Sequence, residues 1–527
     1  MDGINRKERA GRIERSGVNR RQFGTLLAAG ALVAGSGWPL PASAAPPVLR
    51  VRIGSDIGNL DPARIFQIEN QTVATQIFNG LVKYDEASNA IVPDLATGWD
   101  ISGDGTVYSF ALRSGVTWHK GFGPFTSDDV KFSFERVLDP QTGSSYSGQL
   151  ASIKSIETPS PDKVVITLKE PNSGFLHKVS AFNQGWIVSR KALGEIGDKA
   201  FALNPIGTGP FVFQNWAPGR EVKLSANKDY FAGAPKVEEV QFRVIKDETA
   251  AAIALENGEI DIFFGLQQPE VIQRLKGGGL VTVLDRDANH TINLVLNTSI
   301  KTLGDVRVRQ AIYHAINRKA LIDGFFKGTK SEASGVLTSS FQEFTDQVPL
   351  FPYDPAKAKA LLKEAGVGSF TLDLVAPGAN PYDKIVVPIA SDLAAVGIDA
   401  KIKVLERGAY LQARNKGTVP TCITGVVGAP DPDSPILSLF AKSSFPPGLN
   451  TAHYEGIEDM IAAARQAQGD AARKEVYGKI QAKVMGDVPV IPLYADHLFI
   501  AHTKKVSGFV QNSLFTMSAY PVSLLEA

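Results

Sequence analysis

The sequence predicts an α/β protein of more than one lobe. Three observations carry that prediction. The 527 residues exceed what a single core organises, since domains usually hold about 100–200 residues. Composition is globular, with 44% hydrophobic and 21% charged residues. Strand-like and helix-like segments alternate along most of the chain without a repeat unit, the pattern of mixed α/β layers.

Residues 1–44 read as an export address. A basic, polar stretch through Arg21 precedes an apolar run from Phe23 to Leu40, and Ala42 and Ala44 offer a small-residue cleavage site. The expected mature chain starts near Ala45. Asn19-Arg-Arg-Gln-Phe23 resembles the twin-arginine signal, with Asn where Ser or Thr is usual. Gly, Ala and Pro39 make the apolar run a poor membrane span. No Cys follows it to take a lipid anchor, so the mature protein is expected to be periplasmic.

Val48-Leu-Arg-Val-Arg-Ile53 reads as the strand that opens the body. Gln71–Leu81 spaces Val73, Ile77, Phe78 and Leu81 as a helix does. Thr106–Arg113 alternates with period two. Ser127, followed by Asp128 and Asp129, is the expected N-cap of the next helix. Lys163–Lys169 and Glu239–Ile245 are strands, the latter leading into a helix over Glu248–Asn257. Helices fill Asp305–Lys327 and Asp354–Ala365. Strands at Thr371–Val375 and Ala400–Leu405 flank a helix over Tyr382–Val396. Two more helices fill Gly456–Met485. Val488–Tyr494 holds two prolines, which suits an edge strand or a domain crossing.

Several chemistries are excluded at this level. Without residues 1–44, which carry seven Lys/Arg and three Asp/Glu, the net charge falls from +1 to −3, no footprint for nucleic acid. The single cysteine, Cys422, forbids an intramolecular disulfide and a thiolate cluster, and it reads as a small buried hydrophobe. The seven histidines show no zinc-binding spacing, and no nucleophile elbow occurs. Ile206-Gly-Thr-Gly-Pro210 lacks the Lys-Ser/Thr of a phosphate loop; its glycines instead allow tight backbone approach. Gly277-Gly-Gly279 reads as a turn. Arg307, Arg309 and Arg318 read as solvated or salt-bridged faces of one helix. His119 reads mainly as part of a turn.

About ten stretches, in one order, resemble the peptide/nickel-binding proteins, family 5 of the extracytoplasmic solute-binding proteins that serve ABC importers. They include Leu60-Asp-Pro-Ala63, Ile77-Phe-Asn-Gly-Leu-Val-Lys-Tyr-Asp85, Ile91-Val-Pro-Asp-Leu-Ala96 and Tyr108-Ser-Phe-Ala-Leu-Arg-Ser-Gly-Val-Thr-Trp-His-Lys-Gly121. Thr126–Arg136, Pro205–Phe211, Asn227–Phe231, Ala254–Asp261, Val306–Arg318 and Tyr353–Leu362 continue the series. The resemblance implies a two-lobed periplasmic binding protein, type II, of the large cluster with an extra subdomain. It places 46–86, 203–290 and 492–527 in the first lobe, 87–202 as its inserted subdomain, and 291–491 in the second lobe. A hinge of two crossings would join the lobes. A peptide or small-molecule ligand is then captured by lobe closure and passed to permease subunits in the inner membrane. Monomer is the family default. No catalytic residue, metal or cofactor is implied.

The resemblance is also informative where it fails. The dipeptide-binding branch has an Asp before Asp-Pro-Asp that pairs with the ligand's ammonium; Gly428 stands there, ahead of Asp431-Pro-Asp433. That branch also has an Arg before Pro-Tyr, where this chain has Asn380 ahead of Pro381 and Tyr382. Asn380, Tyr382, Arg407, Gly428 and Asp431 are the expected cleft residues, with Asp431 equally suited to shaping its loop. A free dipeptide loses two charged anchors here. Longer peptides, opine-like compounds, glycans and metallophores stay open as ligands, as does presentation to a sensor.

Overall fold

The computed structural model describes residues 47–180, 182–426 and 430–525. The export segment 1–44, its cleavage near Ala44, and Gly428 lie outside the described residues.

Val48–Ile53 forms as expected and lies between two parallel neighbours, Glu239–Val244 and Ile262–Leu266. The helix Glu248–Glu256 connects those neighbours, and Asp247 caps it by accepting from the Ala250 N–H. A parallel pair needs such a crossover. The remaining pairings of this nine-stranded sheet are antiparallel. Its path runs from Thr421–Gly425 through Val281–Leu296, Val490–Thr503, Ile262–Leu266, Val48–Ile53, Glu239–Val244 and Glu221–Ala226 to Phe211–Ala217, and Lys330–Ser331 pairs with Val490–Thr503 off that path.

Two long strands connect the two main hydrophobic cores. Val281–Leu296 has 16 residues and Val490–Thr503 has 14, paired antiparallel from Val281–Thr503 to Val295–Val490. At one end Phe499 and Ala501 pack against the helices Glu248–Glu256 and Pro269–Gly278. At the other, Ile292, Leu294, Val490 and Ile491 enter a separate core. Val490–Thr503 is therefore an interior strand with partners on both sides, not an edge. Pro492, which has no N–H to donate, sits opposite Asn293 where the register shifts.

The first core joins Val51, Ile53 and Phe242 of the large sheet to Tyr108, Phe110, Phe134 and Ile166. The last four belong to a four-stranded antiparallel sheet, Ala96–Ile101, Val107–Leu112, Lys163–Leu168 and Ile153–Ser160, and to the helix Ser127–Leu138 that covers it. The second core draws its buried apolar side chains from positions 292–494. It contains a parallel pair, Phe370–Pro377 and Ile398–Leu405, joined by the helix Tyr382–Ala395.

Four local expectations change. The helix expected at Gln71–Leu81 spans Ile68–Ile77, because Phe78 is already extended. Thr126, not Ser127, is the N-cap; the Asp129 carboxylate accepts from the Thr126 N–H at 3.0 Å, and Ser127 Oγ donates to the Ser160 carbonyl. Gly277 and Gly278 end a helix, with Gly279 as its left-handed cap. Arg318 lies on a second helix, Arg318–Phe325, and both it and Arg309 are buried. Arg309 donates to the carbonyls of Leu303, Gly304, Asp487 and Val488, so it ties helix ends together from inside.

Candidate functional site

Between the two cores lies a cavity of about 930 Å³. Ligand pockets commonly enclose about 300–1,000 Å³. Its first wall follows from the turn after Val48–Ile53. Gly54 and Ser55 open the backbone there, and the helix starting at Ile68 brings Ile68 and Glu69 to the rim. Arg52 closes this wall from below. Its guanidinium donates to the carbonyls of Ile245, Lys246, Phe264 and Gly265 and lies over the Phe263 ring. The wall thereby holds one buried cation, without an ion pair to Arg52 among the described residues, beside the carboxylates of Glu69, Glu248 and Glu270. Burial lowers the Arg52 pKa, partly offset by the fields of Glu248 and Glu69.

The opposite wall comes from the second core. Phe325 ends one helix, with Phe326 and Lys330 following it, and Asn380, Pro381, Tyr382 and Lys384 begin another. Burial raises the Tyr382 phenol pKa, so the phenol remains a neutral donor at physiological pH.

The crossing strands form the floor. Asp496 is held by His290 Nδ1 at 2.6 Å and by Lys330 Nζ at 2.8 Å. Burial alone would push the Asp496 carboxyl up, but these two partners bring it down to about 2. Aromatic rings of Tyr494 and Phe515 complete the floor. The cavity thus offers apolar faces, paired charges at the base, and Glu69 and Lys384 at opposite rims without an ion pair of their own among the described residues. Among the described residues no group of three or more His, Cys, Asp or Glu is placed to hold a metal.

Of the expected cleft residues, Asn380 and Tyr382 line this cavity. Arg407 does not. It begins the helix Arg407–Asn415 on the exposed surface, where Glu406 caps the helix. Asp431 does not either. It is 1% exposed and ion-paired with Lys178 and Arg473, each at 3.1 Å. These two ion pairs hold its loop. His119 is also outside the cavity, buried with Nε2 2.9 Å from the Gly209 carbonyl oxygen. Cys422 is 1% exposed, as its apolar setting implied.

Sequence reasoning missed Arg52, Glu69, Lys330, Lys384 and Asp496. One signal existed for Arg52: a charge inside an opening strand that ends in Gly54-Ser55. The others are brought together only by the tertiary fold.

Residues 90–446 match the family described as Bacterial extracellular solute-binding proteins, family 5 Middle. The chain is 32% identical over 465 residues to di/tripeptide-binding protein 2 of Pseudomonas aeruginosa, covering 83% of this chain and 87% of that one. The structure of HbpA2 from Haemophilus parasuis superposes with a TM-score of 0.86 at 28% identity, over 91% of this chain and all of that one. The periplasmic binding protein DppA from Helicobacter pylori, solved with the peptide STSA, superposes with a TM-score of 0.74 at 30% identity, over 91% and 98% of the two chains.

Fold and cleft define a two-lobed solute-binding protein. The chain belongs to family 5 of the bacterial extracellular solute-binding proteins. The expected α/β architecture and the expected family both hold.

Proposed function

We propose that the mature chain captures a short peptide or peptide-like solute in the periplasm and delivers it to the permease of an ABC importer. The observation that carries this is the cavity between the two cores, lined from both and floored by the strands that join them. Such a site can change volume when the lobes move as rigid bodies. Closure excludes water, which strengthens each polar contact inside. The solute needs only to bind the closed form better than the open one. Binding without reaction requires no nucleophile or base, and we assign the protein no catalytic step.

The likeness to proteins named for di/tripeptides and for a bound peptide supports a peptide ligand. The missing charges at Gly428 and Asn380 narrow it. Charge-assisted hydrogen bonds contribute about 1.5–3 kcal/mol each, against about 1 for neutral ones. A ligand held mainly through its backbone or its side chains suits this cleft better than a free dipeptide gripped by its ends. Asn380 and Tyr382 are the proposed contacts, with Glu69 and Lys384 facing the ligand's charged groups. The proposed lobes follow 46–86, 203–290 and 492–527 with the insertion 87–202, and 291–491. Residues 1–44 act as a twin-arginine export signal cleaved near Ala44, and the mature protein works as a monomer.

Native mass spectrometry of the mature protein purified from its periplasm is the direct test, followed by calorimetry with dipeptides, tripeptides, opines and glycans. Saturable binding of a peptide-class compound, weakened at least tenfold by Tyr382→Ala, is the expected result. Turnover of a bound compound overturns the assignment. So does binding confined to opines or glycans, which makes the solute non-peptide.

A further inference from the structure

The lobes also meet at a second place, and the chemistry there is unlike that of the ligand cavity. Segment 173–178 of the first lobe presses on the Asp431-Pro-Asp433 turn of the second. A Cβ added to Gly174 would lie 3.0 Å from Asp433 Oδ2 and 3.2 Å from Asp431 Oδ2, so only a glycine allows this approach without displacement. Arg473, from the helix Asp470–Asp487, bonds Asp431 at 3.1 Å, Glu343 at 2.9 Å and, across the boundary, Ser173 Oγ at 2.6 Å. Tyr477 donates to Asp433. Asp431, Asp433, Glu343 and Arg473 are all at most 5% exposed.

The second lobe therefore buries three carboxylates around one arginine. A fifth charge, the second cation, comes from the other lobe: Lys178 Nζ lies 3.1 Å from Asp431 Oδ2. That oxygen has no hydrogen-bond partner among the described residues, so the Lys178 charge is what meets it. Neighbouring His177 adds no charge, because burial lowers its pKa to about 4 and Tyr84 shares its Nδ1.

We propose that Lys178 and Asp431 are positioning residues that set how readily the two lobes close, and that neither touches the solute. Opening withdraws the only cation that the first lobe supplies to this cluster among the described residues and leaves Asp431, Asp433 and Glu343 around Arg473 alone. Closing returns it. A buried carboxylate gains from its partner far more than an exposed one does. The pair thus sets the closed fraction before any solute arrives, and apparent affinity scales with that fraction. This rests on the reading of a cleft that closes, yet it needs no knowledge of the ligand.

The test uses the full mature chain with spin labels at exposed positions, Lys154→Cys in the first lobe and Lys359→Cys in the second. Interlobe distances are measured without solute, and thermal unfolding checks that each variant is folded. Lys178→Met is expected to lower the closed-to-open ratio roughly tenfold or more, and Lys178→Arg to restore it. Calorimetry with alanyl-alanine, trialanine and glutathione adds a second readout: every probe that binds should lose affinity by the same factor. An unchanged distance distribution in a folded Lys178→Met overturns the proposal. So does a loss confined to one probe, which makes Lys178 a ligand contact. Failure of all three probes to bind counts against the peptide reading alone, since the distances are taken without solute.

Discussion

Buried charged side chains do much of the structural work in this molecule, and Arg309 shows how. Its guanidinium donates to carbonyls at the ends of helices, where the last turn leaves acceptors without an intrahelical partner. Replacing it with Leu strands those acceptors, and urea unfolding should show a loss of roughly 3 kcal/mol. His119 makes a pH-dependent contribution. Burial lowers its pKa to about 4 from an unfolded value of 6.5, so the folded protein favours the neutral ring. Its stabilisation is complete above pH 6.5 and is lost as pH falls toward 4. The shift corresponds to roughly 3 kcal/mol. His119→Gln should flatten the stability profile across that window in denaturant titrations at fixed pH. At this scale the sequence was a partial guide. Asn380 and Tyr382 sit in the cavity, while Asp431 and Arg407, equally plausible by position, sit elsewhere. What separates them is which lobe surface each loop faces, and that is fixed by contacts hundreds of residues apart.

Element boundaries were mostly legible because caps and glycines carry local instructions. The exception at Thr126 is instructive, since two adjacent hydroxyl residues competed and the neighbouring strand claimed Ser127. Glycines divide into two kinds that sequence alone does not separate. A Cβ on Gly207 would lie 1.9 Å from the Ile77 carbonyl oxygen, so the motif Ile206-Gly-Thr-Gly-Pro210 exists for close packing of backbone on backbone. Gly207→Ala should cost about 3 kcal/mol or more, or prevent folding, as overpacking does. Gly277 lies within a helix and an added Cβ meets nothing within 4 Å. Gly277→Ala should therefore raise stability by about 0.5–1 kcal/mol through the unfolded chain. Thermal unfolding of the two variants side by side checks both signs. The proline-bearing segment Val488–Tyr494 was ambiguous for a physical reason: a missing N–H is tolerated at an edge and also at a register shift, and the latter is what the fold uses.

At the scale of the whole molecule, the family resemblance made the two-lobed plan legible, while the cavity's charged lining was not, because it assembles from at least five separated segments. A bound solute should raise the unfolding temperature, with a gain of roughly 2.7 kcal/mol when present at 100 times its dissociation constant. Differential scanning fluorimetry with the ligand found by mass spectrometry checks this. The strand pair beneath the cavity has a further consequence. Thr291 faces Ala495 in register, so the chain enters and leaves the second core at neighbouring rungs of one ladder. Every buried apolar side chain of the second core lies between those points. A fragment cut at 288 and 496 should fold cooperatively by itself, as circular dichroism would show. Its two ends emerge side by side, so a chimera needs only two splice points lying a strand's width apart. That arrangement lets recombination exchange one wall of the cleft between relatives and leave the other intact.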